Sequence, residues 1–159
     1  MKKTEKTNVM RVLEQKKVPY NSYSYVNTDA LSGAEVAKAL NQNPEQVFKT
    51  LVTIGHTKTN YVFLVPVEKE LDLKKAAKAV GEKNIQMIPS KELLPLTGYI
   101  HGGCSPIGMK KLFPTFFHQS ALEHDAIIVS GGKRGFQIQC EPKQLASACK
   151  GQFADLIFS

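Results

Sequence analysis

An α/β fold, a mixed sheet flanked by helices, is what three observations in this sequence predict. The 159 residues are 42% hydrophobic and 22% charged, the mix of a globular protein and the length of one domain spanning 1–159. Apolar residues at helical spacing alternate with short β-rich runs. The order of these segments lacks the regular β-α-β alternation of a doubly wound sheet, and one hairpin, Val47 to Ile54 with Tyr61 to Val67 across a polar loop, is antiparallel.

Residues from Thr7 to Lys17 read as a helix with Val9, Val12 and Leu13 on one face, ended before Pro19. A tyrosine-rich strand follows, Tyr20 to Tyr25, whose alternation puts Tyr23 and Tyr25 on one side. Ser32 and Glu35 form a capping box ahead of Val36, Ala37 and Leu40, a helix that should stop near Asn41 to Asn43, before Pro44. After the hairpin, Leu73, Ala76, Ala77 and Val80 mark a helix with Gly81 as its stop. Ile85 to Ile88, Thr115 to His118, Ala126 to Val129 and Phe136 to Cys140 are short strands, and Pro142 opens a last helix that carries Leu145 and Cys149 inward.

Composition narrows the function. No stretch is long and apolar enough to span a bilayer, and the basic first ten residues lead into no apolar stretch, so neither a membrane segment nor a secretory signal is expected and the cytoplasm is the expected location. Cys104, Cys140 and Cys149 are odd in number and lack CxxC spacing, and the four histidines show no metal spacing, so neither a disulfide framework nor a metal nor a cofactor is expected. A net charge of +7 favours an anionic partner such as nucleic acid, although the lysines are spread along the chain.

Two glycine-rich turns stand out, Gly102-Gly103-Cys104-Ser105-Pro106 and Ser130-Gly131-Gly132-Lys133-Arg134-Gly135, the second directly behind the apolar run Ala126 to Val129. Glycine lets a ligand approach bare backbone N–H groups; hairpin bends explain the same residues. Lys49 is the third feature, because the strand period puts it beside Val47 and Leu51 in a run whose two faces are mostly apolar. Its ammonium either reaches the surface along its stem or sits beside an anion, where it holds a carbonyl or phosphate.

Val47-Phe48-Lys49-Thr50-Leu51, Gly98 to Gly108 and Val129 to Gly135 occur in that order and together resemble the YbaK/EbsC family, as do Leu71 to Lys75 and Phe153-Ala154-Asp155. These are free-standing aminoacyl-tRNA deacylases similar to the editing domain of bacterial prolyl-tRNA synthetases, and one branch hydrolyses Cys-tRNA(Pro). The resemblance implies a single compact α/β domain with a mixed, mostly antiparallel, curved sheet around a pocket, and no metal. Carried over by position, it assigns Lys49 as the essential strand lysine, Gly102 and Gly103 as the substrate-cradling loop, Ser130 as the serine after the late strand and Tyr25 as a pocket aromatic.

Hydrolysis of an aminoacyl ester develops negative charge on the carbonyl oxygen, which the N–H groups of Gly102 and Gly103 are placed to stabilise, while Lys49 orients the terminal ribose or phosphate. In the cysteine-specific branch the substrate's own thiol attacks its carbonyl, so orientation carries the catalysis. Lys133 and Arg134 suit the anionic tRNA acceptor end, or equally a solvated turn. Ser130 either binds substrate or caps its turn. Cys104 reads as a small buried residue rather than a nucleophile.

The sequence departs from some members at Leu31-Ser32, where they carry an aromatic, and at Gln137, where others carry an acid. Both positions bear on which amino acid is edited. The expected activity is therefore trans-editing hydrolysis of mischarged Cys-tRNA(Pro), with prolyl-tRNA synthetase as a further partner. Alanine or serine specificity, and a non-enzymatic synthetase- or RNA-binding module, are the alternatives.

Overall fold

The computed structural model describes residues 6–25 and 33–158. Five helices and eight strands are defined within them: α1 Asn8–Gln15, β1 Asn21–Ser24, α2 Gly33–Ala39, β2 Phe48–Gly55, β3 Asn60–Pro66, α3 Leu73–Val80, β4 Ile85–Met87, α4 Leu93–Thr97, β5 Thr115–His118, β6 Ile127–Ser130, β7 Phe136–Cys140, α5 Pro142–Ala148 and β8 Gln152–Ala154. The strands form two sheets, three-stranded β1-β7-β6 and five-stranded β4-β2-β3-β5-β8. Every pairing is antiparallel except β3 with β5 and β5 with β8. A parallel bridge between Val47 and Ile128 joins the two sheets.

Local chemistry explains the helix ends. The Thr7 side chain accepts from the Met10 N–H and starts α1 one residue later than the spacing predicts. Asp72 accepts from the N–H groups of Lys74 and Lys75 at the start of α3, and Gly81 ends that helix at φ 75° in the left-handed region. Glu141 caps α5, with Pro142 in its first turn as expected. The Ser32 half of the predicted capping box lies outside the described residues.

The central hairpin follows the expected pairing, with Phe48 opposite Pro66 and Ile54 opposite Asn60. Its period of two separates two cores. Phe48, Val52, Val62 and Leu64 join α1, α5 and the smaller sheet, whereas Leu51, Phe63 and Val65 face α3, Leu71 and Leu156. Leu73, expected inward, is 38% exposed: it is the first residue of α3, at the end of the face that Ala76 and Ala77 bury. α4 and β8 were not predicted. Each is short, and β8 owes its extended form to parallel pairing with β5.

Candidate active site

Among the described residues, no strand pairs with one edge of β2 between Phe48 and Val52. β4 pairs with it from Thr53 onward, and the bridge to the smaller sheet falls just before β2, at Val47. The Val67 N–H donates to the Val47 carbonyl at 2.8 Å, which sets the phase of the ladder. Odd-numbered residues bond to β3, and Phe48, Thr50 and Val52 turn their backbone groups the other way. The Val52 carbonyl then accepts from the Ile88 N–H at 3.3 Å, and beyond it the edge borders a cavity of about 520 Å³. That volume suits a small-molecule-sized group.

Four of the residues singled out in the sequence line this cavity together: Lys49, Gly102, Ser130 and Tyr25. Lys49 sits opposite Val65 on the central hairpin, so its backbone is anchored by the best-paired strands of the fold. Its amine stands 3.7 Å from a carboxylate oxygen of Glu70, with the lysine side chain 29% and the glutamate 81% exposed. The Lys49 ammonium therefore meets an anion while the side chain keeps partial exposure to solvent.

The two glycine turns touch. The Gly103 N–H donates to the Ile100 carbonyl at 3.0 Å, closing a turn in which Gly102 has φ 86°. Gly102 borders the cavity; Gly103 does not, and its N–H is already engaged within the turn. A Cβ on Gly103 would stand 2.9 Å from the Arg134 backbone nitrogen, so glycine here serves close packing of one turn on the other. Arg134 Nη2 donates to the His101 carbonyl at 2.9 Å. Lys133 lies with its ammonium 5.7 Å from the centre of the Phe136 ring. Neither Lys133 nor Arg134 lines the cavity.

Ser130 does two things at once. Its Oγ accepts from the Gly132 N–H at 3.1 Å, capping the late turn, and the residue borders the cavity. The Tyr25 N–H donates to the Gly135 carbonyl at 2.8 Å, tying the end of β1 to the same turn. Cys104 also lines the cavity, but burial pushes its thiol up to about 12, so it is protonated at neutral pH. Among the described residues no cluster of three or more His, Cys, Asp or Glu side chains could hold a metal ion.

Sequence reasoning missed how Gln137 is held. This residue of β7 is 6% exposed, lines the cavity and accepts from the Gln42 Nε2 at 2.8 Å. Gln42 lies just beyond α2, and nothing in its local sequence marks it, because the contact joins segments 95 positions apart. Ile88 and Leu93 supply further apolar wall from β4's end and α4.

Comparison with known proteins adds to this geometry. Residues 28–148 match the family model of the aminoacyl-tRNA editing domain. The chain is 50% identical over 157 residues to an Enterococcus faecalis protein named "Putative Cys-tRNA(Pro)/Cys-tRNA(Cys) deacylase EbsC", covering 98% of this chain and 96% of that one. A crystal structure described as "a putative trans-editing enzyme for prolyl tRNA synthetase" superposes with a TM-score of 0.82 at 27% identity, over 95% of each chain. A hypothetical protein of known structure shares the fold at a TM-score of 0.86 and 19% identity, over 94% of this chain and 99% of that one.

Proposed function

The chain belongs to the aminoacyl-tRNA editing domain family, and from that premise we propose that it deacylates mischarged Cys-tRNA(Pro) in trans, with residues 1–159 acting as one editing domain. The observation that carries this reading is the meeting of Lys49, Gly102 and Ser130 in one cavity of about 520 Å³ beside the edge of β2. The name of the half-identical relative supports cysteine as the amino acid and proline tRNA as a carrier.

In this reading the aminoacyl ester enters between β2 and the two turns. The substrate thiol attacks the ester carbonyl carbon; a C–S bond forms, the C–O bond to the ribose breaks, and the thiol proton ends on the released ribose hydroxyl. Negative charge gathers on the carbonyl oxygen, and the Gly102 N–H donates to it. Gly103 contributes by seating that turn rather than through its own N–H, which is committed to Ile100. Lys49 exchanges the exposed Glu70 for the terminal ribose or phosphate and fixes the ester against the turn. Tyr25 and Ser130 border the bound group, and the exposed Lys133 of the late turn suits the anionic acceptor end.

Editing of this kind is needed because cysteine and proline are close in size, and a synthetase pocket separates such pairs weakly. Prolyl-tRNA synthetase is the expected partner for tRNA selection, a reading supported by the description of the structural relative at 27% identity. The test is deacylation of Cys-, Ala- and Ser-charged tRNA by the purified protein. Cys-tRNA(Pro) should be cleaved fastest, and Lys49→Ala should abolish turnover with an unchanged circular dichroism spectrum. Faster cleavage of Ala- or Ser-tRNA would move the specificity, and no cleavage of any of them would sink the enzyme reading.

A further inference from the structure

The sequence suits Arg134 to the tRNA acceptor end, but its guanidinium engages the first glycine turn. The Gly103 N–H bonds to the Ile100 carbonyl at 3.0 Å, Gly102 at the third position has φ 86°, and His101 is not among the residues with positive φ. That combination is a type II turn. Types I and II differ by rotation of the central peptide, here His101–Gly102, through roughly half a turn. In a trans peptide the carbonyl and the N–H point in opposite directions. The direction of the His101 carbonyl therefore decides the direction of the Gly102 N–H.

Arg134 Nη2 donates to that carbonyl at 2.9 Å, and Arg134 Nε lies 3.2 Å from the point where a Cβ on Gly102 would stand. The guanidinium thus holds the outward face of the central peptide. The approach is possible because Gly103 has no side chain: a Cβ there would stand 2.9 Å from the Arg134 backbone nitrogen and 3.3 Å from the Lys133 carbonyl carbon. A flip to type I would break a charge-assisted hydrogen bond and reverse the Gly102 N–H.

We infer that Arg134 is a positioning residue: it locks the His101–Gly102 peptide in the orientation that offers the Gly102 N–H to the substrate carbonyl oxygen. This rests on the reading of Gly102 as the donor to that oxygen. The guanidinium also draws electron density through the carbonyl and strengthens the N–H on the other side of the same amide. The late glycine turn is then the latch of the early one, and Arg134 acts on the reaction through Gly102 without touching substrate.

Steady-state deacylation of Cys-tRNA(Pro) by Arg134→Ala, measured over a range of salt concentrations with and without millimolar guanidinium ion, tests this. The expected result is a fall in kcat of at least about tenfold with KM and its salt dependence unchanged, partly restored by guanidinium. A raised KM with a flatter salt dependence at unchanged kcat would overturn the inference in favour of a phosphate contact, and so would wild-type kinetics. Should the alanine variant melt early, Arg134→Lys keeps the charge but not the planar group over Gly102. Low kcat at wild-type KM then supports positioning, and wild-type kcat overturns it. Lys49→Ala in the same assay keeps the two ideas apart: an active Lys49→Ala withdraws the site itself, whereas an inactive one beside a fully active Arg134→Ala withdraws only the latch.

Discussion

Cys104 and Glu70 show how little of a residue's role follows from its type. The Cys104 thiol borders the cavity yet is buried and pushed up to about 12, so at pH 7.5 it holds almost no thiolate, the form that reacts. Native protein should therefore resist iodoacetamide at that pH and keep its deacylase activity, and rapid modification with parallel inactivation would make Cys104 a participant. Glu70 pairs with Lys49 at 3.7 Å but is 81% exposed, and exposed ion pairs contribute about 0–1 kcal/mol. Glu70→Gln should leave the denaturant midpoint nearly unchanged and lower KM for tRNA by no more than about fivefold, the kinetic equivalent of that range. A tenfold loss of activity would place Glu70 within the machinery. From sequence, Lys49 was legible as an odd cation in an apolar strand, but its anion was not, because Glu70 lies beyond the partner strand.

Among the elements, the parts set by nearby residues were readable and the parts set by distant ones were not. The β2–β3 hairpin and α3 follow from strand runs, a polar loop and a glycine stop within a few residues of each other. β8 has three residues and is extended because β5 lies beside it, and Gln42 meets Gln137 only through the fold. The separation of the strands into two sheets was likewise invisible, since one bridge at Val47 decides where they join. Glycines give a direct test of this distinction. Gly81 ends α3 with φ 75° and open space where a Cβ would stand, so Gly81→Ala should cost about 1 kcal/mol through backbone strain alone. In Gly103→Ala the new Cβ meets backbone atoms of Lys133 and Arg134, which cannot rotate aside, so about 1–3 kcal/mol is expected together with loss of turnover. Urea unfolding of both variants beside the deacylation assay checks the pair; equal costs with full activity in each would separate the turn contact from the site.

Across the whole molecule, one titratable acceptor, a histidine, takes part in fastening residues 155–157 to the core. His118 of β5 is 6% exposed, and its Nδ1 accepts from the Leu156 N–H at 3.1 Å. Leu156 is fully buried, its carbonyl accepts from the Asp72 N–H at 2.8 Å, and Ile157 bridges Leu71, so Leu156 stands between the His118 acceptor on β5 and the start of α3. Accepting from an N–H requires an unprotonated Nδ1. Burial is the main cause that lowers the His118 pKa below 6.5, and it outweighs the nearby Asp155 carboxylate, which acts in the opposite sense. A lowered folded-state value means that the unfolded chain takes up the proton first. The contribution to stability is complete above pH 6.5 and is lost as pH falls from there through the folded-state value. Glu14, Glu82 and Asp155 are shifted below their ordinary values of 4.5, 4.5 and 3.8, so their contributions fade only at more acidic pH. Among the displaced groups of the described residues, then, His118 alone has its ordinary value between pH 7 and 5. The urea midpoint should drop over that interval, and His118→Asn, whose side-chain oxygen offers the Leu156 N–H an acceptor that does not titrate, should flatten the drop. An unchanged pH profile in His118→Asn would show that the acid sensitivity of the fold arises elsewhere.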